Sequence, residues 1–165
     1  SFQNIKGRKD VNVVVIEAEG NVFCSGHDLK EMTNDLTDNE SRLHLFQLCS
    51  DVMTLISSSA APVIAKVDGV ATAAGCQLTA SCDIVVASAR SKFATPGVDI
   101  GLFCSTPAVA LSRAVGPRHA MYMLLTGDMI PADEAERIGL VSKVVAEEEL
   151  DETVSMLATK LSKKY

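Results

Sequence analysis

The sequence lacks any apolar run as long as a membrane-spanning helix needs, because charged or turn-forming residues interrupt every hydrophobic stretch. Basic residues are also fewer than acidic ones. The chain has 15 lysines and arginines against 21 aspartates and glutamates, which gives a net charge of -6. We therefore expect no membrane span, and the charge argues against nucleic acid as the main partner. A phosphate-bearing ligand is compatible only with a local basic group or a helix end.

Motifs for disulfides, metals and nucleotides are absent as well. The five cysteines form no C-x-x-C pair, and their odd number and small or apolar neighbours predict reduced, buried thiols in an intracellular protein. The three histidines share no metal-ligand spacing with one another or with the cysteines, so we predict no metal. Neither G-x-G-x-x-G nor a P-loop occurs, and residues 1–4 resemble neither a signal nor a transit peptide.

The patterns that are present alternate between strand and helix. Hydrophobic residues make up 47% of the 165 positions, enough for one domain with a real core. We predict strands at 11–18, 62–67, 83–88, 92–95 and 141–145. We predict helices at 41–57, 77–82, 107–116 with Thr106 as N-cap, 117–126, 131–138 and 147–164. Residues 1–165 should therefore form a single α/β domain with a mostly parallel sheet.

Three further expectations concern particular segments. The strand at 11–18 is apolar on both faces and should be central. Residues 21–30 and 96–105 have the composition of loops, and the acidic segment 31–40 that of a mobile surface segment. The helix at 41–57 should be amphipathic, with its apolar residues spaced at three and four: Leu45, Leu48, Val52, Leu55 and Ile56.

The stretch 67–78 is the most informative part of the chain. A buried strand leads into small residues from Gly69 to Gly75, and a short helix follows. Such a turn leaves backbone N–H groups free at a helix N-terminus, where the helix dipole favours an anion or a developing oxyanion. Small side chains let a ligand approach the backbone closely. Taken alone, the pattern also fits a tight packing turn between a strand and a helix.

A family resemblance rests on four segments: FCSGHDLKEM at 23–32, VDGVATAAGCQL at 67–78, SCDI at 81–84, and FATP at 93–96 with Gly101-Leu102. In this order and spacing they resemble the enoyl-CoA hydratase/isomerase (crotonase) superfamily, and the resemblance covers nearly the whole chain. It implies the crotonase-like (ClpP/crotonase) ββα spiral core. Family members also have a strand and helix before this core and trimerisation helices after it, so we expect this chain to represent the central part of a longer fold.

The resemblance implies that two backbone amides, those of His27 and Ala74, hold the thioester carbonyl oxygen of an acyl-CoA. Such an oxyanion hole stabilises an enolate, and losing one donor costs about 3–4 kcal/mol of transition-state stabilisation. Lys30 would meet a CoA phosphate, or else be a solvated surface lysine. The residues expected to contact substrate are Ser25, Gly26, His27, Asp28, Leu29, Lys30, Ala73, Ala74 and Pro96.

The sequence departs from the family where a hydratase needs carboxylates. Hydratases of the family place and activate water with two glutamates, and the corresponding positions here are Gln77 and Gly97. Related isomerases use an acid that falls near Ser105. An amide can hold water but cannot accept its proton at neutral pH. General acid–base catalysis contributes roughly 10²–10⁴-fold per group, so ordinary hydratase activity should be absent or very weak.

Few residues could replace these carboxylates. Asp99 shares a face with position 97 if that segment is extended, or else caps a loop. The His27 imidazole could shuttle a proton, or else line the pocket wall. Cys76 and Cys104 have no adjacent basic partner and fit small buried fillers better than nucleophiles.

Two functions follow from the resemblance. One is an enoyl-CoA hydratase/isomerase-like protein that binds acyl-CoA thioesters, with weak or altered activity. The alternative is a non-catalytic acyl-CoA-binding or regulatory subunit of fatty-acid metabolism, and a purely structural subunit of a mixed trimer is a third possibility. The resemblance implies no cofactor beyond the CoA of the substrate, a homotrimer or hexamer, and a mitochondrial location, or otherwise a cytoplasmic one.

Overall fold

Two four-stranded sheets and the helices around them make up the fold. The computed structural model describes residue 8, residues 10–30, residue 32 and residues 38–164. The strands are β1 (Val14–Ile16), β2 (Val22–Cys24), β3 (Val63–Val67), β4 (Val70–Thr72), β5 (Ile84–Ser88), β6 (Lys92–Ala94), β7 (Ile130–Pro131) and β8 (Lys143–Val145). Within the described residues, the α-helices with assigned bounds are α1 (Asn39–Ser57), α2 (Ala74–Ser81), α3 (Ser105–Ala114), α4 (Pro117–Thr126), α5 (Ala132–Arg137) and α6 (Leu150–Ser162), and 3-10 helices span Pro96–Ile100 and Glu147–Glu149.

The first sheet has the strand order β1-β3-β5-β8 and is parallel throughout. Ala65 pairs with Ile16 on one side and with Val85 on the other. Val63, Ile64 and Ala65 are fully buried, as expected for a parallel strand covered on both faces. This sheet confirms the predicted α/β class with mostly parallel strands.

The second sheet positions the candidate site. Its order is β2-β4-β6-β7, and only the β6–β7 pair is antiparallel. Cys24 pairs with Ala71, and Thr72 pairs with Ala94. Because β2, β4 and β6 run in the same direction, their carboxyl ends lie at one edge of the sheet. The segments that follow these three strands therefore meet there, at the edge where α/β proteins commonly bind ligands.

Helices cover both sheets. The largest core cluster includes Phe93, Leu111 and Met123, each at most 1% exposed, and joins the second sheet to α3 and α4. A second cluster packs Leu150 and Val154 of α6 against the first sheet. Helix α2, which begins at the candidate site, packs mainly against α3. The start of α2 is therefore held by a rigid framework.

Several predicted strands differ from the observed ones. The strand predicted at 11–18 is limited to β1 and lies at the edge of the described sheet rather than in its centre, with Val15 and Ile16 half-buried. The predicted loop at 21–30 contains β2, and the small-residue turn contains β4. Strands of two or three residues, including the missed β7, are too short for their periodicity to be recognised.

The helix boundaries also need corrections. Helix α3 begins at Ser105 with Cys104 as its N-cap, so the predicted cap at Thr106 is wrong. Pro107 falls at the third helical position, where a missing N–H costs no intrahelical hydrogen bond. In the segment 31–40, residues 31 and 33–37 lie outside the described residues. Asp38 caps α1, because the Ser41 N–H donates to its Oδ1 at 2.8 Å.

Three of the five residues predicted to face inward from α1 are buried or half-buried, so the predicted face is confirmed only in part. Ile56 is buried and packs in a small cluster with Met53, and Cys49 is half-buried on the same side. Leu48 and Val52 are instead 50% and 37% exposed. Apolar residues lie on more than one side of this helix, and the observed inward set contains a cysteine and a methionine that the prediction did not include.

Candidate functional site

The loop after β2 and the turn after β4 lie in direct contact. A Cβ placed on Gly75 would lie 1.9 Å from the Cys24 carbonyl oxygen. The Thr72 hydroxyl lies 3.5 Å from the Ser25 carbonyl oxygen that it faces. Only a glycine allows this approach, because any side chain at position 75 would overlap the neighbouring backbone. Parallel pairing of β2 with β4 therefore brings together the two segments that the sequence singled out.

Gly26 brings the loop close to the predicted amide donor. Gly26 has φ 96°, and a Cβ built on it would lie 3.0 Å from the Ala73 Cβ and 3.3 Å from the Ala74 nitrogen. The residue just before His27 thus lies against Ala73 and Ala74. The two positions predicted to donate amides are therefore brought to the same edge of the second sheet.

Ala73 holds an unfavourable backbone conformation. Its φ of 52° and ψ of -119° place it in a region that glycine adopts readily and other residues rarely. Its N–H donates to the Ala94 carbonyl at 3.0 Å, and its own carbonyl accepts from the Gln77 N–H at 3.1 Å. Strain of this kind costs about 1–3 kcal/mol and concentrates at functional sites. Alanine at this position therefore has a conformational cost that glycine would not have.

The start of α2 is electrostatically suited to an anion. Ala74 is the first residue of the helix, where an N–H has no intrahelical acceptor. The first turn contains no acidic residue that would neutralise the positive end of the dipole. The Ala74 N–H is therefore available to an acceptor outside the helix, at the point that Gly26 approaches.

The His27 side chain lies against α1. Its ring centroid is 5.3 Å from that of Phe46, with the planes tilted by 58°. Phe46 is 42% exposed, so the pair forms part of the surface beside the loop. Further along, the Lys30 N–H donates to Asp28 Oδ1 at 2.8 Å, which fixes the turn that follows His27.

The Gln77 side chain is buried, and its amide oxygen is unpaired among the described residues. It is 8% exposed, and its Oε1 has no hydrogen-bond partner among the described residues. An unsatisfied buried acceptor costs about 1–3 kcal/mol. A functional role is one reason for a protein to retain such a group.

Position 97 has no space for a side chain. A Cβ on Gly97 would lie 2.4 Å from the Leu102 carbonyl oxygen and 2.7 Å from the Cys104 Sγ. The Leu102 N–H also donates to the Gly97 carbonyl at 2.8 Å, which closes the loop on itself. The position that the resemblance assigns to the second glutamate is therefore occupied by other atoms of the chain, and a carboxylate here would require the loop to move.

The premise that placed Asp99 beside position 97 is wrong. Residues 96–100 form a 3-10 helix, in which side chains two apart do not share a face. The Asp99 Oδ1 lies instead 3.2 Å from a Cβ built on Gly127. Ser105, at the isomerase position, is the first residue of α3. No carboxylate side chain belongs to position 77, 97 or 105.

The two cysteines near the site differ in their surroundings. Cys76 is fully buried, and burial, with a smaller effect of Cys104, raises the pKa of its thiol to about 12. Such a thiol is almost entirely protonated at neutral pH and is a poor nucleophile. Cys104 is half-buried and packs on Gly97. Both therefore contribute packing, as a small hydrophobic residue would.

Neither metal nor membrane features occur in the described part of the chain. No group of three histidine, cysteine, aspartate or glutamate side chains is close enough to hold a metal ion there. In the same residues, no helix is both long and apolar enough to cross a bilayer.

Three contacts at the site, made by Phe46, Leu102 and Cys104, have no counterpart among the sequence predictions. Phe46 contacts His27 from a helix that begins twelve positions later in the chain, and Leu102 supplies a main-chain atom. Nothing in local residue patterns indicates either contact. Cys104 is named in the sequence analysis, but its packing on Gly97 follows only from the fold of residues 96–104.

Comparisons with known proteins agree with this fold. The family model described as enoyl-CoA hydratase/isomerase matches residues 1–165. The chain is 56% identical over 154 residues to rat (Rattus norvegicus) enoyl-CoA hydratase domain-containing protein 3, mitochondrial, covering 93% of this chain and 51% of the relative. Crystal structures of the human protein of that name and of an enoyl-CoA hydratase from Mycobacterium smegmatis superpose with TM-scores of 0.90 and 0.93 and identities of 52% and 48%.

These matches cover nearly all of this chain but only part of each relative. The two structural alignments cover 98% of this chain but 65% and 62% of the solved chains, and the chain spans about half the length of the rat relative. The family model nevertheless spans every residue, and the predicted crotonase-like fold is confirmed. The chain belongs to the enoyl-CoA hydratase/isomerase family.

Proposed function

We infer that the chain binds the thioester of an acyl-CoA where the loop after β2 meets the start of α2. The amides of His27 and Ala74 donate to the carbonyl oxygen, and the small residues around them admit it. One observation carries this assignment. The position of a Gly26 Cβ, next in the chain to His27, is only 3.3 Å from the Ala74 nitrogen. Two donors at one point stabilise the negative charge of an enolate, and each contributes about 3–4 kcal/mol to a transition state.

The rest of the acyl-CoA extends along neighbouring segments. Asp28, Leu29 and Lys30 follow the first donor and run past the adenine and pantetheine, and Pro96 begins the 3-10 helix after β6 on the other side. CoA takes part only as a portion of the substrate, and we propose no separate cofactor. These assignments come from the family resemblance, and the meeting of the three loops at one sheet edge supports them.

The chemistry should stop short of efficient hydration. Gln77 cannot take a proton from water, and Gly97 lies against the Leu102 carbonyl and the Cys104 thiol, where no carboxylate fits. Without the two groups that activate water, hydration loses roughly 10²–10⁴-fold for each. Weak or altered turnover of an enolate-forming acyl-CoA is the function that the site supports best.

A second candidate is a non-catalytic acyl-CoA-binding or regulatory subunit in fatty-acid metabolism. The close contacts at Gly97 favour this second function, because a main-chain carbonyl and a thiol occupy the space that a catalytic carboxylate would need. Relatives that carry "mitochondrial" in their names support a mitochondrial location. We also propose a homotrimer or hexamer for the protein as a whole, in keeping with its family.

Crotonyl-CoA hydration tests the catalytic proposal. Hydration is followed as the loss of the enoyl thioester's ultraviolet absorbance. The rate with the purified protein is compared with the rate of an authentic hydratase at equal concentration. We expect a rate at least roughly 100-fold below that of the authentic enzyme, from the loss of general acid–base groups. A rate near that of the authentic enzyme would show that carboxylates at positions 77 and 97 are unnecessary and would contradict the assignment.

A further inference from the structure

One face of α6 carries a charge pattern that is symmetric about the centre of the helix. Met156 is the middle residue of Leu150–Ser162 and is 59% exposed, although its side chain is apolar. Four exposed charged residues lie four and seven positions from it on either side: Glu149, Glu152, Lys160 and Lys163. At about 100° per residue, all four lie within about 40° of Met156 around the helix axis. Together with Met156 they form one stripe, the α6 stripe, which is acidic before its centre and basic after it.

Met156 also separates two shallow grooves of opposite charge. The first groove, of about 610 Å³, is lined by Met156 and by three lysines that include Lys160 and Lys163. The second groove, of about 550 Å³, is lined by Met156, by Glu149 and Glu152, and by one lysine. A surface that fits this face of α6 must therefore present an apolar centre with basic groups on one side and acidic groups on the other.

The charges of the α6 stripe are not used within the described part of the chain. None of the four takes part in an ion pair there. Two acidic neighbours outside the stripe do, since Arg90 Nε lies 3.5 Å from a Glu147 carboxylate oxygen and Lys66 Nζ lies 2.6 Å from Asp151 Oδ1. The helix dipole favours acidic residues early and basic residues late, but on every side of the helix alike. It does not account for charges on one face around an exposed methionine.

We propose that the α6 stripe is the contact surface for a second copy of this chain, with the two α6 helices antiparallel about a two-fold axis at Met156. In such an isologous contact, a residue before the centre faces the residue equally far after the centre in the other copy. Glu152 then faces Lys160 of the second copy, and Glu149 faces Lys163. Each opposite-charge pair is made twice, whereas parallel helices would place like charges together. The pattern is therefore complementary to itself in one orientation only.

The contact is weak and depends on salt. Leu150–Ser162 is about 20 Å long, and one helix lying on another covers less than the roughly 1,600 Å² of a stable interface. Exposed ion pairs each contribute little and are screened by salt, so the charges set partner and orientation more than affinity. Because α6 packs on the first sheet, whereas the candidate site belongs to the second, the inference does not depend on the proposed function.

Analytical ultracentrifugation of charge-reversal variants tests this contact. Glu152→Lys and Lys160→Glu each place like charges at both symmetric positions and should weaken self-association of the purified protein by about 10-fold or more. A mixture of the two variants restores opposite charges across the interface, and so does the double variant. Both should associate within about twofold of the unmodified protein. The double variant opposes the helix dipole, so a more stable helix cannot explain its recovery.

Lys92→Glu is the matched control, because it reverses one exposed charge on β6, in the other sheet. It should leave self-association unchanged. Since the same contact would join two trimers as well as two single chains, the quantity to compare is the mean particle mass, which should halve when the contact is broken. Circular dichroism checks that each variant is folded, and Glu152→Gln and Lys160→Gln test the same pairs with a smaller effect if a reversal variant is not.

Two results would overturn the inference. One is an unmodified protein whose particle mass does not rise at low salt up to roughly 1 mM, the concentration at which even a contact of about 4 kcal/mol is half formed. The other is a mixture and a double variant that associate no better than the single variants, because the opposite-charge pairs would then not form. Either result leaves the thioester site unaffected.

Discussion

Gly75 and Cys24 are in such close contact that no side chain fits between them, since a Cβ on Gly75 would lie 1.9 Å from the Cys24 carbonyl oxygen. This contact joins the first turn of α2 to the strand that leads into the 25–28 loop. Gly75→Ala should therefore destabilise the protein by at least about 2 kcal/mol, because the backbone segments must separate. Chemical denaturation measures the change.

Gly116→Ala is the control for this substitution. A Cβ there would meet only the His119 Nδ1 at 3.9 Å, and the residue has φ -59°, which alanine adopts without strain. Its effect should stay below about 1 kcal/mol. Equal losses of stability in the two variants would show that the contact between Gly75 and Cys24 does not cause the loss in Gly75→Ala.

Ala73 stores strain that glycine would release. Its φ of 52° and ψ of -119° suggest that Ala73→Gly relieves about 1–3 kcal/mol and loses up to about 1 kcal/mol to the flexibility of the unfolded chain. We expect a net gain of about 1 kcal/mol in the free energy of unfolding. Ala74→Gly, one residue later and already helical, should instead lose about 1 kcal/mol. Losses of similar size in both variants would argue against strain at Ala73.

Substituting glutamate at positions 77 and 97 should not be enough to restore hydration. Gln77→Glu should fold, because the side chains have nearly the same volume. Gly97→Glu should lower stability by at least about 2 kcal/mol, since its side chain meets the Leu102 carbonyl and the Cys104 Sγ. The double variant should therefore gain no crotonyl-CoA hydration. Gly97→Ala separates the steric effect from the charge, and a stable, active double variant would contradict the account of position 97.

Acid should weaken one ion pair beside the β3–β4 connection. The Arg90 guanidinium, which donates to both Asp68 carboxylate oxygens at 2.7 and 2.6 Å, and the Ser88 hydroxyl hold the pKa of Asp68 below its ordinary value. A carboxyl with a lowered folded-state pKa stabilises the protein above its unfolded pKa of about 3.9. That stability disappears as the pH falls through the folded-state pKa.

Asp68→Asn tests this pair. The melting temperature of the variant should lie below that of the unmodified protein at pH 6, by the equivalent of at most about 1 kcal/mol, because the pair is partly exposed. The difference should shrink as the pH is lowered below about 4. Glu148→Gln, which removes an exposed charge from the 3-10 helix Glu147–Glu149, is the control. A difference that does not change with pH would rule out the Asp68 carboxylate as its source.

The sequence predicts the fold class well where elements are long or apolar. The strand at 62–67 and the helix at 41–57 appear nearly as predicted, because hydrophobic runs and spacing are strong signals over such lengths. Strands β2 and β4 are missed, although they align the two loops of the site. Each has three residues, and its pairing partner is distant in the chain. Their formation depends on tertiary contacts that local patterns do not encode.

The site is predictable in its parts but not in its geometry. The family resemblance picks out His27, Ala74, Gln77 and Gly97, and their roles stay predictions. The strained backbone of Ala73 cannot be inferred from sequence, because alanine rarely adopts such a conformation. The error at Asp99 has a similar origin. Asp99 would share a face with position 97 only in an extended segment, whereas Pro96 begins a 3-10 helix.

Calorimetric titration with acetoacetyl-CoA tests directly whether a thioester binds between Gly26 and Ala74, on which the proposed function depends. Gly26→Ala and Gly101→Ala both place a methyl group at positive φ, 96° and 77°, so their backbone strain is comparable. The Gly26 methyl would lie 3.3 Å from the Ala74 nitrogen, whereas the Gly101 methyl would meet no atom of the described residues within 4 Å apart from its own chain neighbours.

We predict that the unmodified protein and Gly101→Ala bind acetoacetyl-CoA with the same affinity. Gly26→Ala should bind it at least about 10-fold more weakly, because its methyl group occupies the space of the thioester oxygen. No heat of binding for the unmodified protein, or equal affinity in Gly26→Ala, would contradict the account.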